Sequence, residues 1–138
     1  MANGILVAGI GNIFQSDDGF GSEVARLLLT GPPPPDGVKI VDYGIRGVHL
    51  AYELLDGYDA AILVDAHGMD PASVLALLRS LGGRIGRLLV VGCEPADVDD
   101  GIGLSEPVAG ALEEACRVVR DLIDKELSQL QSRKETLA

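Results

Sequence analysis

The sequence predicts an α/β fold, a three-layer sandwich whose mostly parallel sheet of about four to five strands carries helices on both faces. Short apolar runs alternate along the chain with segments whose apolar residues recur at helical spacing. Parallel strands joined by right-handed crossover helices produce this alternation. At 138 residues the chain is long enough for a single domain with its own core.

The first half of the chain alternates between buried strands and amphipathic helices. Residues 5–8 form an unbroken apolar run, which is typical of a strand covered on both faces. Residues 19–29 show helical spacing that stops at Gly31, before the prolines at 32–35. Strands at 38–41 and 60–64 flank a helix through residues 50–55, which Gly57 closes.

The second half continues the same pattern. Helix 71–81 begins at Pro71, which suits a first turn, and glycines at 82 and 83 end it before a strand at 87–91. Ser105 is the expected N-cap of a last helix, whose apolar residues recur at helical intervals from Val108 to Ile123. We expect one domain over residues 1–127 and a frayed polar tail over residues 128–138.

The composition limits the partners and the compartment. A total of 21 acidic residues against 11 Lys and Arg gives a formal net charge of −10, which repels nucleic acid and suits a metal ion or a basic peptide. The two cysteines, Cys93 and Cys116, match no zinc or redox spacing. No apolar run approaches the roughly 18 residues that a membrane span needs. We therefore expect a cytoplasmic protein with no membrane span and no nucleic-acid partner.

Acidic residues follow two of the predicted strands. Asp17 and Asp18 lie in a glycine-rich turn after the first strand, and Asp65 directly follows the run 60–64, with His67 two residues later. The carboxyl ends of parallel strands share one edge of a sheet, where α/β proteins place their chemistry. We expect these side chains to meet there. Two carboxylates and an imidazole would suit a divalent metal such as nickel or zinc.

Each of these residues also has a purely structural explanation. Asp17 or Asp18 would serve as a cap of the following helix, and Asp65 would accept a buried hydrogen bond. His67 in a loop is often a solvated or capping residue. Asp42 follows the second strand and is either another acid in the cleft or the cap of the next helix. The prediction therefore depends on the cluster rather than on one member.

Two other classes of protein use similar features. Gly9 and Gly11 suggest a dinucleotide-binding turn, but Phe14 stands where its third glycine belongs, and the acidic turn would repel a pyrophosphate. We therefore expect no nucleotide. An acid pair after the first strand, with Asp65 after the third, also suits a receiver-like binding module that responds to metal or phosphate, although the lysine usual in such modules is missing.

Five short motifs together resemble one enzyme family. They are Gly-Ile-Gly-Asn at 9–12, Asp-Asp-Gly-Phe-Gly at 17–21, Val-Asp-Ala at 64–66, Val-Gly-Cys-Glu-Pro at 91–95 and Gly-Ile-Gly-Leu-Ser at 101–105. In this order they resemble the hydrogenase maturation proteases, over residues 5–123.

The resemblance implies an endopeptidase that removes a C-terminal extension from the large-subunit precursor of a nickel-iron hydrogenase after nickel insertion. It implies that nickel, carried mainly by the substrate, is the recognition element and is bound by Asp18, Asp65 and His67. Asp18 and Asp65 are the catalytic candidates, in either an aspartic-type or a metal-assisted mechanism. The residues expected at the cleft are Asn12, Asp17 and Asp42.

The sequence departs from this family at one place. Members usually carry a long segment between the acid that ends the third strand and the histidine, whereas only Ala66 separates Asp65 from His67 here. The alternative that follows is an inactive, shortened relative of the protease.

Overall fold

The computed structural model describes residues 4–13, 16–44, 47–66, 71–96, 99 and 101–137. In these ranges, four parallel strands form one sheet, and helices connect and follow them. The strands are β1 (Ile5–Ile10), β2 (Val38–Gly44), β3 (Ala60–Asp65) and β4 (Arg87–Gly92). The helices are α1 (Phe20–Thr30), α2 (Gly47–Leu54), α3 (Pro71–Ser80), α4 (Glu106–Ala109) and α5 (Leu112–Leu137), and a 3₁₀ turn covers Ser16–Gly19.

The strand order β2-β1-β3-β4 puts β1 and β3 in the middle of the sheet. Ile5 of β1 pairs with Val38 on one side and Ala60 on the other, and all three strand pairings are parallel. Every residue of the two central strands is buried, whereas the edge strands are partly exposed. The unbroken apolar runs at 5–8 and 60–64 therefore form the two strands that are covered on both faces.

Two separate cores cover the two faces of the sheet. On one face, α1 and α5 pack against the sheet through residues such as Phe20, Val24 and Val119. On the other face, α2 and α3 contribute Leu50 and Leu78. The predicted three-layer α/β sandwich is confirmed. No helix in the described ranges is long and apolar enough to cross a membrane.

The last helical region differs from the sequence prediction. It is divided into α4 and α5. Ser105 holds the predicted N-cap position of α4, but its side chain makes no capping hydrogen bond there. The helix α5 also continues to Leu137, where the sequence predicted a frayed tail from residue 128. Leu127 and Leu130 pack against the core on the α1 side of the sheet and extend the apolar stripe of α5. Tertiary contacts therefore support the helix in this region.

Candidate active site

A close approach of α1 to the centre of the sheet carries the acidic turn to the carboxyl ends of the strands. A methyl group on Gly21 would lie 2.1 Å from the carbonyl oxygen of Val64 and 2.2 Å from that of Ile10. A methyl group on Gly9 would lie 2.3 Å from the carbonyl oxygen of Gly21. Only glycine permits this contact, so these glycines serve helix–sheet packing rather than a pyrophosphate.

Asp17 is a buried support for the neighbouring loop. Its side chain is 0% exposed. Its carboxylate accepts hydrogen bonds from the backbone N–H of Ala96 at 2.8 Å and from the backbone N–H and hydroxyl of Ser105 at 2.6 and 2.8 Å. The sequence suggested that Asp17 lines the cleft or caps a helix. The structure instead uses this carboxylate to tie the turn before α1 to the segment before α4.

Ser16 makes a second connection between the same two segments. Its backbone N–H donates to the carbonyl oxygen of Gly101 at 3.0 Å, and its hydroxyl donates to that of Asp99 at 2.9 Å. Its φ angle is 50°, a conformation that non-glycine residues rarely adopt. The two segments that Ser16 connects line an apolar groove of about 280 Å³. Its lining includes Ile13, Leu104 and Ile102, which is 82% exposed.

Asp18 lies beside this supported turn and is only partly buried. Its carboxylate accepts a hydrogen bond from the backbone N–H of Asn12 at 3.2 Å, and its own carbonyl oxygen lies 3.0 Å from the same nitrogen. Asn12 thus positions Asp18 through its backbone. Asp18 is not the side-chain cap of α1, since Gly19 holds the N-cap position and no side chain caps it.

Asp65 ends β3 at the same edge of the sheet and is 7% exposed. Its preceding residue Val64 pairs with Gly9 of β1, and Asp65 itself pairs with Gly92 of β4. The 3₁₀ turn that carries Asp18 is the next element after β1, so one acid ends β3 and the other lies in the first turn after its neighbour β1. The expected meeting of these acids at one sheet edge therefore has a clear topological basis.

Asp42 occupies the edge strand β2 and is held by a residue that the sequence did not single out. The hydroxyl of Ser22, in α1, donates to the Asp42 carboxylate at 2.7 Å, and the backbone N–H of Gly44 donates at 2.9 Å. These bonds make Asp42 a link between α1 and the end of β2. Ser22 is 2% exposed, and its role in holding Asp42 is identified by its burial and by this hydrogen bond.

His67 lies outside the described residues, so its expected place beside Asp18 and Asp65 stays a prediction. Among the described residues, no three His, Cys, Asp or Glu side chains form a group that could hold a metal ion. Asp18 and Asp65 fit a metal as oxygen donors, but they need at least one further ligand.

Cys93 follows β4 near the site, but its chemistry does not suit a nucleophile. Burial raises the pKa of its thiol, and the negative charges of Asp17 and Glu94 raise it further. The thiol therefore stays protonated at neutral pH, and the thiolate is the reactive form of cysteine. The carboxylates remain the chemically useful groups of this edge.

Comparisons with known proteins identify the family. A family model described as hydrogenase maturation protease matches residues 63–122. The hydrogenase expression/formation protein HoxM of Azotobacter vinelandii is 31% identical over 152 residues, covering 88% of this chain and 73% of that protein. The chain belongs to the hydrogenase maturation protease family.

Other members of this protease family agree in sequence and structure. The hydrogenase expression/formation protein HupM of Azotobacter chroococcum is 32% identical over 144 residues, covering 83% of this chain and 68% of that protein. The solved structure of the hydrogenase maturating endopeptidase HybD from E. coli superposes with a TM-score of 0.79 at 26% identity, covering 89% of this chain and 93% of that one. The hydrogenase 2 maturation peptidase from a Thaumarchaeota archaeon gives 0.73, also at 26% identity, covering 88% and 98%.

Family membership decides between the classes that the sequence left open. The predicted resemblance is confirmed, and a peptidase is favoured over a receiver-like or dinucleotide-binding module. This maturation protease is also short: 152 aligned residues correspond to only 88% of its 138, so about 30 positions of HoxM have no counterpart in it. A deletion between Asp65 and His67 would produce such a difference.

Proposed function

We propose that this maturation protease removes the C-terminal extension from a nickel-iron hydrogenase large-subunit precursor once nickel has been inserted. The observation that supports the proposal is that Asp65 ends β3 and Asp18 lies in the first turn after the adjacent strand β1. Nickel of the client would be recognised by these carboxylates as oxygen ligands and by His67 as a nitrogen ligand. Nickel is then part of the substrate and reports that the client is ready for cleavage.

The proposed reaction is hydrolysis of one peptide bond. Water adds to the carbonyl carbon of that bond, and one of the two carboxylates takes the proton that the water loses. The same proton passes to the amide nitrogen as the C–N bond breaks, which leaves a carboxylic acid on the mature subunit and an amine on the released extension. The new carboxylic acid then loses its own proton to solvent. The different burial of Asp18 and Asp65 supports a division of roles between them.

The short Asp65–His67 connection leaves the position of Asp65 intact. Asp65 is fixed by the pairing of β3 with β1 and β4, and its carbonyl oxygen lies 3.4 Å from the backbone nitrogen of Cys93. These contacts are made by β3 up to Asp65 and by β4 with Cys93, so none of them uses a residue of the connection. A fixed Asp65 favours an active protease over an inactive shortened relative.

The decisive experiment is cleavage of a nickel-loaded large-subunit precursor by the purified protein. We expect Asp18→Asn, Asp65→Asn and His67→Ala each to lower the rate about 100-fold or more, since a positioned proton acceptor contributes on that scale. Asp36→Asn is the matched control, because Asp36 is an exposed acid in the loop before β2. We expect this control to cleave at the wild-type rate.

Calorimetry with nickel, and with magnesium for comparison, separates recognition from catalysis. We expect the protein to prefer nickel and the three site variants to bind it more weakly than Asp36→Asn does. If the wild-type protein leaves the nickel-loaded precursor uncut, and a family member with the longer connection cuts it, the chain is an inactive relative. Wild-type cleavage by Asp18→Asn would remove Asp18 from the mechanism.

A further inference from the structure

The two edges of the sheet are built differently. In β2, the Lys39 ammonium lies 3.1 Å from a carboxylate oxygen of Glu53, and prolines precede the strand. Lysines and prolines of this kind protect an edge strand from pairing with another chain. In β4, residues 88–91 are all apolar, and 87–92 contains no lysine, acid or proline. Apart from the charge of Arg87 at its start, the β4 edge therefore lacks these protections.

The backbone of β4 offers an unused row of hydrogen-bonding groups. The N–H of Arg87 donates to the carbonyl oxygen of Asp59 at 3.2 Å, and that of Cys93 donates to Asp65 at 3.4 Å, so odd-numbered residues face β3. Because the backbone groups alternate along the strand, the N–H and C=O groups of Leu88, Val90 and Gly92 point away from β3. Within the described ranges, β4 pairs with β3 and with no other strand.

The side chains of this edge are also incompletely covered. Val90 is 36% exposed, although Leu63, its partner in β3, is 0% exposed. Over its alignment with HoxM the chain lacks about 30 positions, which leaves less polypeptide to cover an edge of the sheet. An uncovered, apolar and unpaired strand is a template for addition of another strand.

We propose that a second copy of this chain pairs with the edge, β4 against β4, and joins two four-stranded sheets into one. A twofold axis makes a strand antiparallel to its own copy, so the same surface serves both partners. With Val90 facing its own counterpart, Leu88 lies opposite Gly92 at both ends of the contact. The outward groups of these residues then form paired backbone hydrogen bonds.

Charge at the contact favours this occupant despite the net charge of −10 on each copy. Arg87 is the one charged residue of β4, and its guanidinium lies 2.6 Å from the buried carboxylate of Glu126 in its own chain. Within β4 itself, no like charges therefore face each other across the axis. Repulsion comes only from the rest of the two molecules, so salt screens it and strengthens the dimer.

Sedimentation velocity of the full chain tests the pairing, at about 0.05 and 0.5 M NaCl, salt concentrations that differ several-fold in screening length. We expect a concentration-dependent dimer that is tighter at the higher salt. Val90→Pro removes an outward N–H and spares the β3 ladder, so it should be monomeric. Val90→Thr keeps the N–H and the branched shape, and this matched control should dimerise like the wild type.

Val90→Lys is a second disrupting variant, in case the proline destabilises the fold, and it should also be monomeric because two lysines would meet at the axis. Hydrogen exchange gives an independent signal: the amides of Leu88 and Val90 should be protected at high protein concentration and exposed at low concentration. A wild type that stays monomeric throughout, or a Val90→Lys variant that dimerises normally, would overturn the proposal. So would a monomer whose β4 amides become protected only when a client peptide is added.

Discussion

At the scale of single residues, Asp17 and Asp18 are neighbours with different environments. The Asp17 carboxylate is 0% exposed and accepts hydrogen bonds from Ala96 and Ser105. Asp18 is only partly buried, and its carboxylate accepts a hydrogen bond from the backbone N–H of Asn12. The first carboxylate therefore supports the loop that presents the second one.

The stabilities of two matched variants test this division. Asp17→Asn replaces one acceptor oxygen by an amide group that meets donors, so we expect a loss of about 2–3 kcal/mol in the free energy of unfolding. Asp18→Asn should cost no more than about 0.5–1 kcal/mol, because its side chain is partly solvated. Urea denaturation followed by circular dichroism measures both. Equal losses in the two variants would contradict the assignment of Asp17 as the support.

At the scale of elements, two tyrosines near Glu53 of α2 provide a second matched pair. The hydroxyl of Tyr58 donates to the Glu53 carboxylate at 2.8 Å. The hydroxyl of Tyr43, in β2, is also buried near this carboxylate, but in the described part of the chain it makes no hydrogen bond of good geometry. Burial and the charge of Glu53 raise the pKa of both tyrosines, so both stay neutral at physiological pH.

Removing each hydroxyl should therefore have opposite consequences. Tyr58→Phe loses a hydrogen bond to a charged acceptor, and we expect it to destabilise the protein by about 1–2 kcal/mol. Tyr43→Phe removes a buried hydroxyl that makes no hydrogen bond of good geometry, so stability should be unchanged or rise by up to about 1 kcal/mol. Thermal unfolding of the two variants beside the wild type gives the comparison. A larger loss in Tyr43→Phe than in Tyr58→Phe would rule out this explanation.

The C-terminal half of α5 is a structural element and not a loose tail. Leu130 packs against the core formed with α1, whereas Gln131 next to it is exposed. We expect Leu130→Ala to lower the free energy of unfolding by about 1–2 kcal/mol, since most of a partly buried leucine side chain is removed. Gln131→Ala should change it by less than about 0.5 kcal/mol. The same urea titration distinguishes them, and equal effects would mean that this part of the helix does not support the core.

At the scale of the whole molecule, the net charge of −10 makes stability depend on pH in two ways. Protonating surface acids relieves repulsion and raises stability. Protonating acids whose charged form is stabilised in the folded state lowers stability. Glu53 belongs to the second group. Burial raises its pKa, but hydrogen bonds from Tyr58 and Lys39 lower it more, so the folded pKa lies below the ordinary value of 4.5.

The contribution of Glu53 can be isolated by subtraction. A folded pKa below the unfolded one gives a stability gain that is fully present above about pH 4.5 and is lost as the pH falls through the folded pKa. We therefore expect the stability difference between wild type and Glu53→Gln to be largest at neutral pH and to shrink at acidic pH. Thermal unfolding across this range measures it. A difference that is constant with pH would show that the Glu53 carboxylate is not stabilised by folding.

Local sequence patterns predicted most of the fold because those patterns depend on residues close together in the chain. The apolar runs predicted all four strands, and Pro71 predicted the start of α3. The division of the last helix and the extension of α5 were not predicted. Both depend on contacts with distant residues, as Ser105 bonds to Asp17 and Leu130 packs on the α1 side of the sheet.

By itself, the sequence determined the strand–helix alternation, the family, and the acids Asp18 and Asp65 at strand ends, since each is encoded in a short motif. Only the tertiary structure decided that Asp17 is a support and that Ser22 holds Asp42. The physical reason is distance along the chain. The bond between Asp17 and Ser105 joins residues 88 positions apart, and only the folded sheet brings such groups within hydrogen-bonding range.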